Sequence, residues 1–351
     1  MKPRVQWIDV AKGTAMLGII AGHLANPRIC SIVFTFHVPL FYFVSGYFLD
    51  LNLNMSDFLK KKVRALLVPY LFTCVLVCAL SVPLNMLQGN DWKKLLGEWM
   101  FASVYGAGNT FTEPFFIPQI GAVWFLLALF WGEIVMRLLM QVKKGTRICL
   151  VLVIFGLSIW SAPYIWLPFS VQAGGCALLF VYLGHLGRQI QPHISRLLAV
   201  SPEVNFVLGL FFVANWIGAV RRYEGFYLAR AIFSNGVLDL WGAVCGTIVV
   251  LIFAKILSEK SACVANGLAF VGRYSLLILC VHVLELNLLP WEKIFGVFQE
   301  WFKLSGDMFV SFVVTGKVIF IFALCCVAMQ IPQVMTLFGY RKRGVTNDKN
   351  R

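Results

Sequence analysis

Apolar runs of about 17–25 residues, each long enough to cross the hydrocarbon core of a bilayer, recur along the whole chain. They belong to a composition in which 60% of the 351 residues are hydrophobic and 13% are charged. A soluble domain has too little interior for so much apolar side chain. The pattern predicts an all-α, polytopic integral membrane bundle of about ten transmembrane helices. The predicted spans are residues 7–25, 31–50, 66–88, 120–141, 147–162, 171–187, 203–220, 237–257, 269–290 and 309–330.

Basic residues are divided unevenly between the loops on the two sides of these spans. The chain has 30 Lys and Arg against 16 Asp and Glu, a net charge of +14. About 19 of the basic residues fall on the side of both termini and about 8 on the other, which predicts cytoplasmic termini by the positive-inside rule. Topology and attraction to anionic membrane lipid account for most of the excess charge, so the sequence does not indicate a nucleic-acid partner. We expect one integral membrane domain over residues 1–340 and a basic cytoplasmic tail at 341–351.

The ten cysteines lie mostly inside the apolar runs. They form no CxxC pair and do not have the spacing of metal ligands. The sequence therefore predicts small buried hydrophobic side chains at these positions, with no disulfide and no metal site.

A few ionisable side chains lie inside the predicted spans, where their cost makes a functional role the default expectation. Counted at 1.5 Å per residue, His23 lies about 24 Å from the cytoplasmic end of the first span, and His37 lies about 9 Å below the outer end of the second. Glu285 and Lys317, on the ninth and tenth spans, reach the same layer in the outer half of the bilayer. The other members of this set are Asp9, Lys12, Glu133, Asp239 and His282.

The shared layer has the groups that acid–base chemistry requires. A neutral imidazole accepts a proton from a hydroxyl, and a neighbouring carboxylate fixes its tautomer and stabilises the imidazolium. His23, His37 and Glu285 are therefore the catalytic candidates. Two alternatives stay open at this stage: the histidines can be structural groups that hydrogen-bond across helix interfaces, and Lys317 and Glu285 can form a structural ion pair.

Four basic residues, Lys60, Lys61, Lys62 and Arg64, stand just before the third span. A lysine cluster at this position is what positive-inside topology produces, and the residues alone favour that interpretation. The alternative is a clamp for the phosphates of a soluble cofactor that arrives from the cytosol.

Short motifs follow one another in a specific order along the chain. In order and spacing they resemble the membrane acyltransferase-3 family and, within it, the branch of the fucose 4-O-acetylases of bacterial surface polysaccharides. The resemblance implies a ten-helix acyltransferase that transfers an acyl group, usually acetyl, from cytoplasmic acyl-CoA to a hydroxyl of a glycan. The motifs are residues 4–13 (RVQWIDVAKG), 22–24 (GHL), 36–48 (FHVPLFYFVSGYF), 60–70 (KKKVRALLVPY), 123–130 (VWFLLALF) and 272–276 (GRYSL), the last leading to His282.

The resemblance also implies roles for individual residues. His23 matches the family's histidine at the outer end of its first helix and is expected to act as general base or transient acyl carrier, with His37 as the second group. The cluster from Lys60 to Arg64 matches a basic stretch expected to contact the CoA phosphates. The resemblance therefore favours a phosphate-binding role for this cluster over a topology signal alone. In this basic stretch, and at Lys12, lysine occupies positions where arginine is common in the family. The positive charge is kept, but lysine cannot make the bidentate hydrogen bonds of a guanidinium group.

Contacts to the acceptor are expected from residues near the outer boundary. Trp124 is a candidate for stacking on a sugar, and Lys317 is a candidate for a contact to the acceptor. The candidates for contacts to its carboxylate or phosphate groups are Arg221, Arg222 and Arg230. An interfacial aromatic belt and ordinary loop charge are the alternative explanations for the tryptophan and the arginines.

The sequence therefore predicts an O-acetyltransferase of the bacterial inner membrane, with acetyl-CoA as co-substrate and a glycan or lipid-linked sugar as acceptor. Its oligomeric state is left open. The main alternative is a proton-coupled secondary transporter or exporter that uses the same His and Glu side chains as a proton relay, although no internal repeat is detectable. A non-catalytic membrane scaffold is the third hypothesis.

Overall fold

The computed structural model describes residues 5–23, 26–198, 201–303 and 306–340. Within these ranges the chain consists of helices and connecting loops, with one small hairpin in which strand β1 (Phe226–Tyr227) pairs antiparallel with strand β2 (Ile232–Phe233). The predicted all-α class is therefore confirmed. The predicted basic tail, 341–351, lies outside the described residues.

The first half of the chain is organised around two interrupted helices. A span begins with α2, is interrupted by a turn at residues 34–36, and continues as α3, while α4 and α5 are continuous through a π-helical turn at Val63–Leu67. The helices of this half are α1 (Gln6–Gly22), α2 (Pro27–Val33), α3 (His37–Tyr47), α4 (Met55–Lys62), α5 (Val68–Leu87), α6 (Trp92–Tyr105) and α7 (Trp124–Leu139).

The second half contains longer helices and one sharp bend. The hairpin lies between α10 and α11, and two 3-10 turns occur at Pro168–Ser170 and Leu228–Arg230. The helices are α8 (Lys144–Ser161), α9 (Val171–Leu198), α10 (Pro202–Arg221), α11 (Val237–Lys260), α12 (Ala262–Arg273), α13 (Ser275–Leu288), α14 (Trp291–Phe302), α15 (Gly306–Met329) and α16 (Pro332–Leu337).

Seven stretches of the described chain are helical, long and apolar enough to cross a membrane, or eight if the bent pair α12 and α13 counts as one span. Each of the ten predicted spans overlaps a helix. Two of these helices are short, because α1 has 17 residues and α7 has 16. The chain is a multi-pass helical membrane protein, while the count of ten spans and the cytoplasmic termini stay predictions.

The predicted ninth span, 269–290, is not one straight helix. α12 and α13 meet at an angle of 67°. α12 lies against α1 with backbone touching backbone: a Cβ on Gly272 would stand 1.7 Å from the Asp9 carbonyl oxygen, and one on Gly13 would stand 2.0 Å from the Leu268 carbonyl oxygen. Only glycine permits this approach. Because α12 is held on α1, the chain must bend at Tyr274 for α13 to enter the bundle.

A second glycine pair joins α3 to α9. A Cβ on Gly46 would stand 1.9 Å from the Val181 carbonyl oxygen, and one on Gly184 would stand 1.9 Å from the Phe43 carbonyl oxygen. Small residues at helix interfaces are the usual way in which membrane helices pack closely. The two glycine contacts thus fix the helices that begin or end at the candidate site.

Burial separates the central helices from those that face lipid. α7 buries most of its length, including Trp124 and Glu133, and α9 packs against both α3 and α7. By contrast, α10 has no buried residue. An apolar helix without buried side chains is what a lipid-facing position requires.

Candidate active site

Two histidines at helix ends are oriented in the same way. His23 follows the last residue of α1, and His37 is the first residue of α3. In each ring Nδ1–H donates to a carbonyl oxygen four residues earlier: Ile19 for His23, at 2.8 Å, and Val33 for His37, at 2.7 Å. A neutral imidazole with its proton on Nδ1 carries its lone pair on Nε2. Both rings are therefore oriented with Nε2 available as a base.

A buried carboxylate lies behind His23 through a second imidazole. His282 Nδ1–H donates to Glu285 Oε2 at 2.8 Å, and His282 Nε2 lies 3.3 Å from His23 Nδ1. Since the carboxylate keeps the proton of His282 on Nδ1, its Nε2 is a second, more distant acceptor for the Nδ1–H that His23 donates to the Ile19 carbonyl oxygen. The two rings meet edge to face, with centroids 5.0 Å apart. His282 and Glu285 are buried, whereas His23 keeps an accessible surface.

The carboxylate has a cation on its other oxygen. Lys317 Nζ, on α15, lies 3.5 Å from Glu285 Oε1 and 5.5 Å from the centre of the Trp291 ring. The side chain of Lys317 is 12% exposed and contacts Glu285 rather than lining the cavity beside the histidines. Lys317, Glu285, His282 and His23 thus form a chain of contacts across α15, α13 and the end of α1.

His23 and His37 line a cavity of about 340 Å³, which we call the histidine cavity. Trp124, at the start of α7, forms part of its wall and is 7% exposed. The hairpin strand β1 and the loop between α6 and α7 form the rest of one side. Further wall residues are Asn109, Gln119, Tyr227 and Asn287.

A second cavity, of about 490 Å³, is lined by Lys12, Lys61 and Lys62, and we call it the basic cavity. Two of the lysines already have counterions in the wall. Lys12 Nζ lies 3.6 Å from Asp9 Oδ1, and Lys61 Nζ lies 3.7 Å from Asp50 Oδ2. The side chain of Lys61 is 56% exposed, so its ion pair is weak and can be exchanged for another anion.

The third lysine is held more firmly. Lys62 Nζ lies 2.6 Å from Glu133 Oε1, and the Ser45 hydroxyl donates to the same oxygen at 2.5 Å. Glu133 is fully buried in α7. This pair explains why an acidic residue stands in the middle of an apolar helix, since a buried carboxylate requires a partner.

The predicted basic cluster does not act as one surface. Lys61 and Lys62 line the basic cavity, whereas Arg64 lines a separate groove formed with α16, and Lys60 lines neither. Successive residues of a helix point about 100° apart. Adjacent basic residues on α4 and the π-helical turn therefore face different neighbours.

Three apolar side chains, Ile19, Phe125 and Leu279, line both cavities, and we call them the neck. Ile19 precedes His23 by four residues on α1, and Leu279 precedes His282 by three on α13. The neck therefore lies about one helical turn, roughly 5 Å, from the two imidazoles. The Phe125 ring stacks on Tyr42 with centroids 5.0 Å apart. The neck thus lies between the basic cavity and His23, and any molecule bound in both cavities would have to pass these three side chains.

The predicted acceptor contacts are separated in the structure. Trp124 lines the histidine cavity, but Arg221 and Arg222 do not. Arg222 belongs to another surface groove, together with Asn235 and Asp239. Asp239, one of the ionisable residues inside the predicted spans, is buried and accepts hydrogen bonds from the backbone and side-chain N–H groups of Asn235 at 2.8 and 3.3 Å.

Sequence reasoning missed several residues of this site. The sequence places His282 among the intramembrane ionisable groups and not among the catalytic candidates, although its spacing of three residues from Glu285 puts the two on one helix face. Lys12 was noted only for its charge. The neck residues carry no chemical signal in the sequence, because an apolar side chain in a membrane helix is ordinary.

Comparison with known proteins identifies the family. A model described as an acyltransferase domain, that of acyltransferase family 3, matches residues 5–331. No curated protein and no solved structure gives a match. The family match spans the helices that build both cavities and the neck. The chain therefore belongs to acyltransferase family 3 and is a membrane acyltransferase.

Proposed function

We propose that this acyltransferase transfers an acetyl group from acetyl-CoA to a hydroxyl of a cell-surface polysaccharide or its lipid-linked precursor. The proposed setting is the bacterial inner membrane, with CoA arriving from the cytosol at the basic cavity. The acceptor class rests on the resemblance of the motifs to the branch of the fucose 4-O-acetylases.

The observation that carries this proposal is the meeting of two unlike cavities at the neck. One cavity is lined by lysines that suit the phosphates of CoA, and the other is lined by two oriented histidines. CoA phosphates are too polar to leave the water-facing entrance, whereas the pantetheine arm is thin and uncharged and could extend through the protein interior. An arm anchored beside Lys12, Lys61 and Lys62 would deliver its thioester past the neck to His23.

Proton transfer would centre on His23. In the proposed reaction Nε2 takes the proton of the acceptor hydroxyl while the hydroxyl oxygen attacks the thioester carbonyl. The C–S bond then breaks, and the proton passes from His23 to the leaving CoA sulfur. His282 and Glu285 would stabilise the imidazolium through Nδ1. If His23 first carries the acetyl group, the same Nε2 would attack the thioester carbonyl while the C–S bond breaks and CoA leaves. The acceptor hydroxyl would then give its proton to His37 and displace the acetyl group from Nε2.

Other residues take supporting roles in this proposal. His37, with a free Nε2 in the same cavity, would bind or deprotonate the acceptor hydroxyl. Lys60 and Arg64, outside the basic cavity, would attract the CoA phosphates through longer-range charge. Trp124 would contact the acceptor, whereas Arg221, Arg222 and Lys317 would not contact the reacting atoms.

The test uses the purified protein in lipid nanodiscs with labelled acetyl-CoA and glycan from cells that lack the chain. We expect label to enter the glycan and each modified residue to gain roughly 42 mass units, the net increase when one acetyl group replaces a hydroxyl hydrogen. If no label enters the glycan and the same protein reconstituted in sealed vesicles moves glycan or protons across the membrane, the transporter hypothesis is supported and the proposal is overturned.

A further inference from the structure

The walls of the histidine cavity have a distinctive charge composition. Among the described residues that line it, none is Lys, Arg, Asp or Glu. The basic residues expected to meet acidic sugars lie elsewhere: Arg222 is in its own groove, and the Arg230 guanidinium lies 5.5 Å from the centre of the Phe111 ring. The cavity therefore offers no fixed counterion to an anionic acceptor.

The two histidines do not replace such a counterion. Each ring commits its Nδ1–H to a carbonyl oxygen, Ile19 for His23 and Val33 for His37. The remaining nitrogen of each neutral ring is an acceptor, which repels a carboxylate or phosphate oxygen. Placing such a group here would bury a charge without a partner, which is costly.

Side-chain amides supply the polar part of the wall. They come from three segments: Asn109 after α6, Gln119 before α7 and Asn287 near the end of α13. Within the described residues, the amides of Asn109 and Gln119 form no hydrogen bond, so both donors and acceptors are available. Asn287 Nδ2 donates to the Ile120 carbonyl oxygen at 3.1 Å, which fixes this amide and leaves its oxygen free.

Aromatic and aliphatic groups make up most of the remaining wall. Trp124, Phe34 and Tyr227 contribute flat rings, and the Tyr227 ring meets that of Phe34 with centroids 5.8 Å apart. A cavity of about 340 Å³ is near the small end of ligand sites, which span roughly 300–1,000 Å³. This combination fits one ring with hydroxyl groups on its edge and apolar faces.

We propose that the acceptor group bound in the histidine cavity is an uncharged sugar ring, with its hydroxyls recognised by Asn109, Gln119 and Asn287. The inference rests on the proposed function and adds the class of sugar to it. Uronic acids, sialic acids and phosphorylated sugars are excluded from the reacting position by the absence of a counterion in the described wall.

The first experiment maps the ester on the natural acceptor. Glycan from cells with and without the chain is fragmented, and the residue that carries the acetyl group is identified by mass spectrometry. An ester on an uncharged sugar residue supports the inference. An ester on an acidic or phosphorylated residue overturns it while leaving the proposed function intact, and an ester on no glycan overturns both.

The second experiment places a charge in the wall. Asn109→Asp and Gln119→Glu each replace amide donors by a carboxylate of the same shape and are expected to lower acetyl transfer about tenfold or more. Gln88→Glu is the matched control, an exposed amide that lines neither cavity, and should retain activity. Binding of labelled acetyl-CoA should be unchanged in all three, which shows that they are folded. Full transfer by Asn109→Asp and Gln119→Glu would overturn the assignment of these amides.

Discussion

The histidine cavity and the basic cavity hold their polar groups in opposite ways. In the first, neutral hydrogen bonds and one buried carboxylate fix the rings and leave Nε2 of His23 and His37 unengaged. In the second, each of the three lining lysines faces a carboxylate of the same chain. The first arrangement suits chemistry that depends on geometry, and the second suits reversible binding of an anionic ligand that exchanges with internal counterions.

The largest effect expected from this contrast comes from His23→Ala. Loss of the central base should lower acetyl transfer about 1,000-fold. The measurement is transfer of label from acetyl-CoA to glycan by protein in nanodiscs. Binding of labelled acetyl-CoA should change little, because the lysines of the other cavity are untouched.

A matched variant, His193→Ala, controls for removal of an imidazole. His193 is exposed on α9 and lines neither cavity. We expect near-normal transfer from this variant. Retained activity in His23→Ala would refute the proposed role of His23 as the base and would leave its hydrogen bonds as structural contacts.

Blocking the neck should separate the two cavities functionally. Leu279→Trp adds bulk where both cavities meet and is expected to lower transfer about 100-fold, while donor binding persists at the basic cavity. Leu284→Trp, on the same helix but on neither cavity wall, is the control for overpacking. Equal activity of the two variants would show that the donor does not pass the neck.

The contact between Glu285 and His282 should matter less than His23 itself. Glu285→Gln keeps the shape but removes the charge that stabilises an imidazolium, and a loss of about tenfold to 100-fold in kcat is expected. Combining it with His282→Ala should add little to the loss from His282→Ala alone, since the two residues act as a unit. Glu259→Gln, exposed at the end of α11, is the control. If the losses from Glu285→Gln and His282→Ala were additive, the two residues would not act as a unit in stabilising the His23 imidazolium.

Sequence reasoning succeeded where helical rise alone decides position. The depths of His23 and Glu285 followed from counting residues along spans, and the structure places the two in one network through His282. The family match and the helical bundle followed from motif order and apolar runs. These features are local or periodic, so a single sequence contains them.

Sequence reasoning was less successful where side-chain direction or helix contact decides position. Lys60 and Arg64 were grouped with Lys61 and Lys62 by proximity in the chain, yet they face different surroundings. The bend at Tyr274 depends on the close contact of Gly13 with α12, which brings together residues that are about 260 positions apart. Such a pairing is not visible in a window of neighbouring residues.

The smallest expected effects compare two lysines of the basic cavity. Lys62→Met leaves the buried Glu133 without its cation and should destabilise the protein by about 3 kcal/mol. Lys61→Met breaks a pair in which the lysine is 56% exposed and should cost no more than about 0.5 kcal/mol. Thermal unfolding of the variants in detergent measures the difference.

Glu133→Gln combined with Lys62→Met should recover most of the lost stability, because no buried charge then remains unpaired. Equal melting temperatures for Lys61→Met and Lys62→Met would show that the pair of Lys62 with Glu133 contributes no more to stability than the exposed pair of Lys61. All the lysines of the basic cavity would then be held weakly, unlike the fixed rings of the histidine cavity.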